Sequence, residues 1–185
     1  MQFMQTQQQK KIEGTIKFGS FGKAFLEETK LFSKRVYISK KKTNKSFHGD
    51  LVLVRALYSL KKNRWEGEVL KIKERKKTLF LGIFEKRKKF GFVNISERNV
   101  FVDFFVGEGD LKGFSDGEKV LVKFKEWHKE NKSPLGHIVK SFGFAGSYEA
   151  EIKGILFENR LSSNFPESVK KEVLEIDSQG KDEKR

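Results

Sequence analysis

The second half of the chain repeats the first. EGTIKFGSFGKAFLEE (Glu13–Glu28) has a counterpart in LGIFEKRKKFGFVNIS (Leu81–Ser96), and RVYIS (Arg35–Ser39) has one in NVFVD (Asn99–Asp103). HGDLVLVRAL (His48–Leu57) returns as DGEKVLVKFK (Asp116–Lys125), and WEGEVLKI (Trp65–Ile72) as PLGHIVKS (Pro134–Ser141). The order is the same in both halves and the offset stays between 64 and 69 residues. Two glycines keep the spacing inside each half: Gly14 to Gly67 is 53 residues, and Gly82 to Gly136 is 54. Matched blocks at near-constant offset mark a duplicated structural unit. A β-barrel of about 65 residues can stand alone, so the 185 residues divide into two small units and a remainder rather than one large core.

Each unit reads as five short strands. Apolar residues recur with period two in Leu51–Leu57 and Val120–Phe124, the pattern of a half-buried strand. Phe, Val, Ile and Tyr dominate these runs, as pleated surfaces favour. His48-Gly49-Asp50 and Asp116-Gly117-Glu118 supply turn chemistry ahead of a strand. Five strands in so few residues fit a closed or nearly closed barrel, which leaves few exposed edges. The tail changes period. Tyr148, Ile152 and Ile155 lie at helical spacing after a candidate cap, Ser147, with Glu149 and Glu151 in the first turn. Pro166 opens a second helix whose stripe is Val169, Val173 and Ile176. The expected divisions are a polar disordered arm (1–11), a first barrel (12–76), a second barrel (77–144) and a helical segment (145–185).

Charge narrows the choice of partner. Lys and Arg number 39 against 25 acids, for a net charge of +14. The excess is +13 in residues 1–78, +3 in 79–144 and −2 in 145–185. A basic half grading into a slightly acidic tail points to one polyanion-binding surface and a different task at the C-terminus. Solubility alone is the bland alternative. The absence of cysteine excludes disulfides, thiolate catalysis and cysteine-ligated metals. No apolar run approaches the roughly 18 residues of a membrane span, and the start, MQFMQTQQQKK, lacks the apolar stretch of a signal peptide. The expectation is a cytoplasmic protein that meets no membrane. The three histidines, His48, His128 and His137, show no ligand spacing, and no metal site is expected. Glu66 and Glu68 neighbour cations and read as solvated pairs. Trp65 and Trp127 read as packing residues. The basic loop Lys40-Lys41-Lys42, with Asn44 and Lys45, is either a solvated loop or a contact to a nucleic-acid backbone.

The stretch KKFGFVNISERNVFVDFF (Lys88–Phe105) carries the most chemistry. Strand alternation sends Phe90 and Phe92 to one face, and Gly91 and Val93 to the other. The same rule groups Phe101 with Asp103, opposite Val100 and Val102. With the valines inward, the phenylalanines lie outside beside Arg87, Lys88 and Lys89. Exposed rings among cations suit single-stranded nucleic acid, because every base offers a face for stacking and lysines neutralise phosphates. The competing reading places all the rings in the core.

KKFGFV followed by VFVDF resembles the two RNA-contacting strand motifs of cold-shock domains, a branch of the OB-fold. The resemblance implies stacking at Phe90, Phe92 and Phe101, with Phe104 a further candidate. It departs at Asp103, where the family commonly has histidine. In the first unit GKAFL (Gly22–Leu26) and Val36-Tyr37-Ile38 take the corresponding places, with Lys23, Phe25 and Tyr37 as the matching contacts. Ala24 replaces the expected glycine and Lys23 an expected ring, and a register shifted by one residue remains open there.

The two barrels in series, joined by Lys73–Thr78, are similar to the N-terminal part of RNase R, in the RNase II superfamily of 3′→5′ exoribonucleases. FHGDLVLV, EGEVLKI, ERKKTLFLGIFEKRKKFGFV and GSYEAEIKGILFENRLSSNFP carry that likeness, from about Ile12 to Ile176. It implies a mainly β chain of two tandem five-stranded OB-fold barrels with a short helical C-terminal segment. The implied activity is binding single-stranded RNA and guiding it, as part of RNA degradation. In that family Mg²⁺ and the cutting aspartates belong to a separate catalytic domain. The six aspartates here are scattered, so the expectation is a chain with no catalytic residues and no cofactor of its own, inactive alone and monomeric. Its partners would be RNA and, for a fragment of the enzyme, that catalytic domain. A stand-alone RNA chaperone or binding protein, and a protein-interaction module acting through the acidic helical tail, are the rival readings.

Overall fold

The computed structural model describes residues 9–19, 22–27, 34–128 and 130–159. The first barrel consists of β1 (Gln9–Phe18), β2 (Ala24–Leu26), β3 (Val36–Ile38), β4 (Leu51–Ser59) and β5 (Arg64–Glu74), closed in the order β1-β2-β3-β5-β4. The second consists of β6 (Leu79–Lys86), β7 (Phe90–Ile95), β8 (Phe104–Gly107), β9 (Glu118–Glu126) and β10 (Leu135–Phe144), closed along the same path. In each barrel the third and fifth strands run parallel and the other pairs antiparallel. This is the expected mainly β, tandem five-stranded OB architecture. Strand β1 begins at Gln9, so the last three residues assigned to a polar arm are strand.

The duplication is exact enough to compare position by position. Ile12 and Phe80, Ile16 and Phe84, Val52 and Val120, and Val54 and Val122 are each separated by 68 residues in sequence and all are buried. The third strand obeys the same offset. Val36 and Ile38 point inward and Tyr37 outward; Phe104 and Val106 point inward and the half-buried Phe105 outward. RVYIS therefore corresponds to DFFVG, not to NVFVD. Residues 99–103 form a connection between β7 and β8, and Val100 and Val102 pack against the second core from that loop.

Helix α1 (Tyr148–Glu158) starts where expected, with the Ser147 hydroxyl accepting from the Ala150 N–H. Its packed face is another matter. Ala150 and Gly154 are buried, with Phe157 against Leu81, Leu121 and Phe142, whereas Tyr148 is 82% and Ile155 51% exposed. Small residues allow the helix backbone to approach the barrel: a Cβ on Gly154 would lie 3.1 Å from Leu81 Cδ2. The large stripe Tyr148, Ile152 and Ile155 consequently faces away. The helix expected after Pro166 lies outside the described residues.

The two barrels are riveted together. Phe47, from the connection between β3 and β4, inserts its ring among second-barrel aromatics: centroids lie 5.0 Å from Phe80, 5.6 Å from Phe124 and 5.6 Å from Trp127. Asp50, fully buried, accepts from the Phe47 N–H at 2.8 Å, the Lys76 N–H at 3.2 Å and the Arg75 guanidinium at 2.8 Å. That guanidinium lies 4.7 Å from the Phe47 ring centroid and 4.4 Å from the Phe124 centroid. Lys45 donates to the carbonyls of His128 and Asn131. Burial pushes the Asp50 carboxyl up and the Arg75 guanidinium down despite their mutual attraction. Desolvation is the largest cause of both shifts, and the ion pair with its hydrogen bonds opposes it.

Candidate nucleic-acid interface

The outward face of β7 and β8 carries three rings. Phe92 pairs with Phe105 across the strands, and Phe90 stands one turn of the pleat away. All three centroid separations are 5.8 Å; Phe90 and Phe105 are stacked at 25°, while Phe92 meets each of the others edge-on. Phe90 is 38% exposed, and Phe92 and Phe105 are half-buried. The inward residues explain the choice of glycine between the rings. A Cβ on Gly91 would sit 2.3 Å from Phe84 Cε2, so no side chain fits there.

The cations lie on the hairpin joining β6 to β7. The Arg87 N–H donates to the Phe90 carbonyl at 2.8 Å and closes the turn. Arg87 pairs with Glu85 on the neighbouring strand. Lys88 and Lys89 are exposed and make no ion pair among the described residues. Two free ammonium groups thus adjoin a ring platform, which is the pairing of charge and stacking surface that a polynucleotide strand requires.

Two residues anticipated on this platform are elsewhere. Phe104 is 0% exposed and belongs to the second core, 4.9 Å from Phe80 between centroids; its ring cannot reach a ligand. Phe101 is 40% exposed but precedes β8, and its ring faces Phe18 of the first barrel at 6.5 Å. The misplacement of Phe101 comes from a four-residue slip, because NVFVD alternates like a strand although it is a loop; Phe104 was implied by the resemblance alone, and the alternation that turns Val100 and Val102 inward turns it inward too. The ring that sequence reasoning missed is Phe105. The signal was present: three repeat blocks share an offset near 68, and only the RVYIS–NVFVD match stood at 64. Asp103, exposed in the loop, lies off the platform, so its carboxylate does not occupy a stacking position.

The corresponding face of the first barrel differs. Phe25 pairs with Tyr37, both outward, with Lys23 exposed at the position of Phe90. Each ring is covered by a guanidinium: Arg35 lies 4.7 Å from the Phe25 centroid and Arg64 4.7 Å from that of Tyr37. Arg64 also pairs with Glu66 at 3.0 Å. Hydrogen bonds from Lys62 and Arg64 hold the Glu66 carboxyl below its usual range, and Arg55 does the same for Glu68. These carboxylates are partners of cations, as the sequence indicated. Among the described residues no three His, Cys, Asp or Glu side chains gather as a metal site would need.

Comparison with known proteins follows the same division. Residues 14–72 match the ribonuclease B OB domain and residues 92–166 match the cold shock domain. The chain is 26% identical over 167 residues to ribonuclease R of Acidithiobacillus ferrooxidans, covering 89% of this chain and 38% of that protein. It superposes on Mycoplasma genitalium RNase R, solved in complex with ribose methylated single-stranded RNA, with a TM-score of 0.73 at 15% identity over 89% of this chain and 26% of the other. Yeast Ssd1, described as a pseudonuclease, gives 0.70 at 18% identity over 83% of this chain and 25% of its own. The chain therefore spans well under half the length of the relatives it matches.

Proposed function

We propose, for a chain that carries the tandem cold-shock-type OB domains of the ribonuclease R N-terminal region, that it captures single-stranded RNA and guides it. The observation that carries this is the three-ring patch Phe90, Phe92 and Phe105 beside Lys88 and Lys89, which are exposed and make no ion pair among the described residues. Bases stack on the rings without regard to sequence, and lysines neutralise the phosphates. The first barrel works chiefly through charge, since its rings are already capped by arginine and the basic excess lies in that half. The solved relative bound to single-stranded RNA supports the reading. Mg²⁺-dependent cleavage and RNA degradation belong, in this proposal, to a separate catalytic domain of the family, in the cytoplasm.

The test is an anisotropy titration of fluorescent oligouridylate at several salt concentrations. Binding should weaken as salt rises, and Phe90→Ala with Phe92→Ala should weaken it by about one to two orders of magnitude, given about 1–3 kcal/mol per stacked base. Circular dichroism must show the double variant folded. Absence of binding at low salt would favour a protein-docking role, for which the exposed Tyr148, Ile152 and Ile155 of α1 are the pertinent surface.

A further inference from the structure

His48 stands between the ring that joins the barrels and the carboxylate that holds that ring: Phe47 precedes it and Asp50 follows it by two residues. The turn 47–50 is laced to the end of β1. The Gly49 N–H donates to the Ile16 carbonyl at 2.8 Å, and the Ile16 N–H donates to the Asp50 carbonyl at 3.0 Å. A further bond has a titratable acceptor: the Phe18 N–H donates to His48 Nδ1 at 3.0 Å. A backbone N–H only donates, so Nδ1 is bare and the neutral ring carries its proton on Nε2.

The surroundings oppose a second proton on this ring. Lys17 of β1 and Lys76 of the segment between the barrels both act against it, and Glu27, after β2, acts the other way. Glu27 is itself paired with Lys17 at 3.6 Å. Lys76 is pressed onto the turn: a Cβ on Gly49, whose φ is +89°, would lie 2.5 Å from Lys76 Cδ. The Asp50 carboxylate is committed to Arg75 and to the Phe47 and Lys76 N–H groups. On its open side the half-buried imidazole borders a groove of about 960 Å³, whose other charged residues are Lys77 paired with Glu97, Arg98 and Glu158. Solvent protons therefore reach His48. Burial, first, and then Lys17 hold the imidazole below its ordinary value of 6.5.

We propose that His48 is a proton-operated latch on the junction between the barrels: acid breaks its bond to the Phe18 N–H, releases the 47–50 turn from β1 and loosens the Phe47 ring in the second barrel. An imidazolium carries N–H on both nitrogens, so Nδ1 and the Phe18 amide would point two donors at each other, with Lys17 and Lys76 alongside. The closed turn favours the neutral ring. The latch is accordingly shut above 6.5 and gives way as pH falls through the window below that value. Phe47 transmits the change, because its ring packs against Phe80, Phe104, Phe124 and Trp127. No RNA contact enters, so the latch stands or falls apart from the RNA-binding reading.

Nuclear magnetic resonance of the full chain without RNA tests this. At pH 7.5 the ¹⁵N shifts of His48 should show the proton on Nε2. An opened turn with an ordinary imidazole gains about tenfold over the closed one at a pH one unit below 6.5. The protection factor of the Phe18 amide should therefore fall about tenfold between pH 7.5 and 5.5. Cross-peaks between the Phe47 and Trp127 rings, stacked at 5.6 Å, should weaken over the same range. His48→Asn sets an amide oxygen near the place of Nδ1 and has no proton to gain, so it should keep both signals steady. His48→Leu, with no acceptor, should show low Phe18 protection at both pH values. A proton on Nδ1 at pH 7.5, or Phe18 protection that does not change, overturns the latch. So does an acid response that persists in His48→Asn, which would assign it to another group. Loss of Phe18 protection with undiminished Phe47–Trp127 cross-peaks overturns the link to the junction. Should His48→Asn fail to fold, the tautomer, the protection and the cross-peaks of the unaltered chain still decide.

Discussion

Gly91 and Ala24 hold the same position in the two barrels, and the difference traces to the residue beneath them. Phe84 fills the second core where Ile16 fills the first, and only the larger ring forbids a methyl group above it. Gly91→Ala should therefore cost about 1–3 kcal/mol of stability, measured by urea unfolding. In a Phe84→Ile background the cost should shrink by at least about 0.5 kcal/mol, a coupling that a double-mutant cycle reads directly. Equal costs in both backgrounds would mean that backbone, not the ring, sets the requirement. Gly67 and Gly136 show the same logic at a position shared by both barrels. A Cβ would lie 2.7 Å from Val54 Cγ1 in the first and 2.4 Å from Val122 Cγ2 in the second. These requirements were readable as a matched glycine spacing, although only the packed neighbours reveal what the glycines avoid.

Regular alternation made most strands legible, and it also produced the error at the third strand of the second barrel. Val100-Phe101-Val102-Asp103 alternates as well as any strand in the chain, and its valines do pack on the core, yet no ladder holds it. Phe104 and Phe105, adjacent rings with no alternation to separate them, are the true strand, divided between core and surface by register alone. Helix α1 was legible in position and cap but not in facing, because packing selected Ala150 and Gly154 for closeness over the larger apolar side chains. Its seat is completed by Lys119, whose ammonium pairs with Glu151 at 2.6 Å. That hydrogen bond, first, and the Gly146 N–H hold the Glu151 carboxyl below its usual range. A lowered carboxyl contributes stability that is present above the ordinary value of 4.5 and is lost as pH falls through the lowered one. Glu151→Gln should accordingly flatten the acid limb of stability against pH by lowering the neutral plateau, with stability at the acid end little changed. An unaltered acid limb would show that other carboxylates dominate it.

At the scale of the molecule the two barrels are unequal partners. Every residue of the first core comes from the first barrel, whereas the second core includes Phe47. Phe47→Ala removes a ring packed against Phe80, Phe104, Phe124 and Trp127. It should cost about 3–5 kcal/mol and should do so in the barrel to which it does not belong. Hydrogen exchange would show protection lost in β6 to β10 while β1, β4 and β5 keep theirs; loss confined to the first barrel would contradict this. The same asymmetry gives the polypeptide a direction in time. Domains emerging from the ribosome fold N-terminal first, at about 5–20 residues per second, so the first barrel can close before the second has been made. When the later half emerges it meets a ring already held in place by Asp50 and Arg75, and its core condenses around an anchor laid down several seconds earlier.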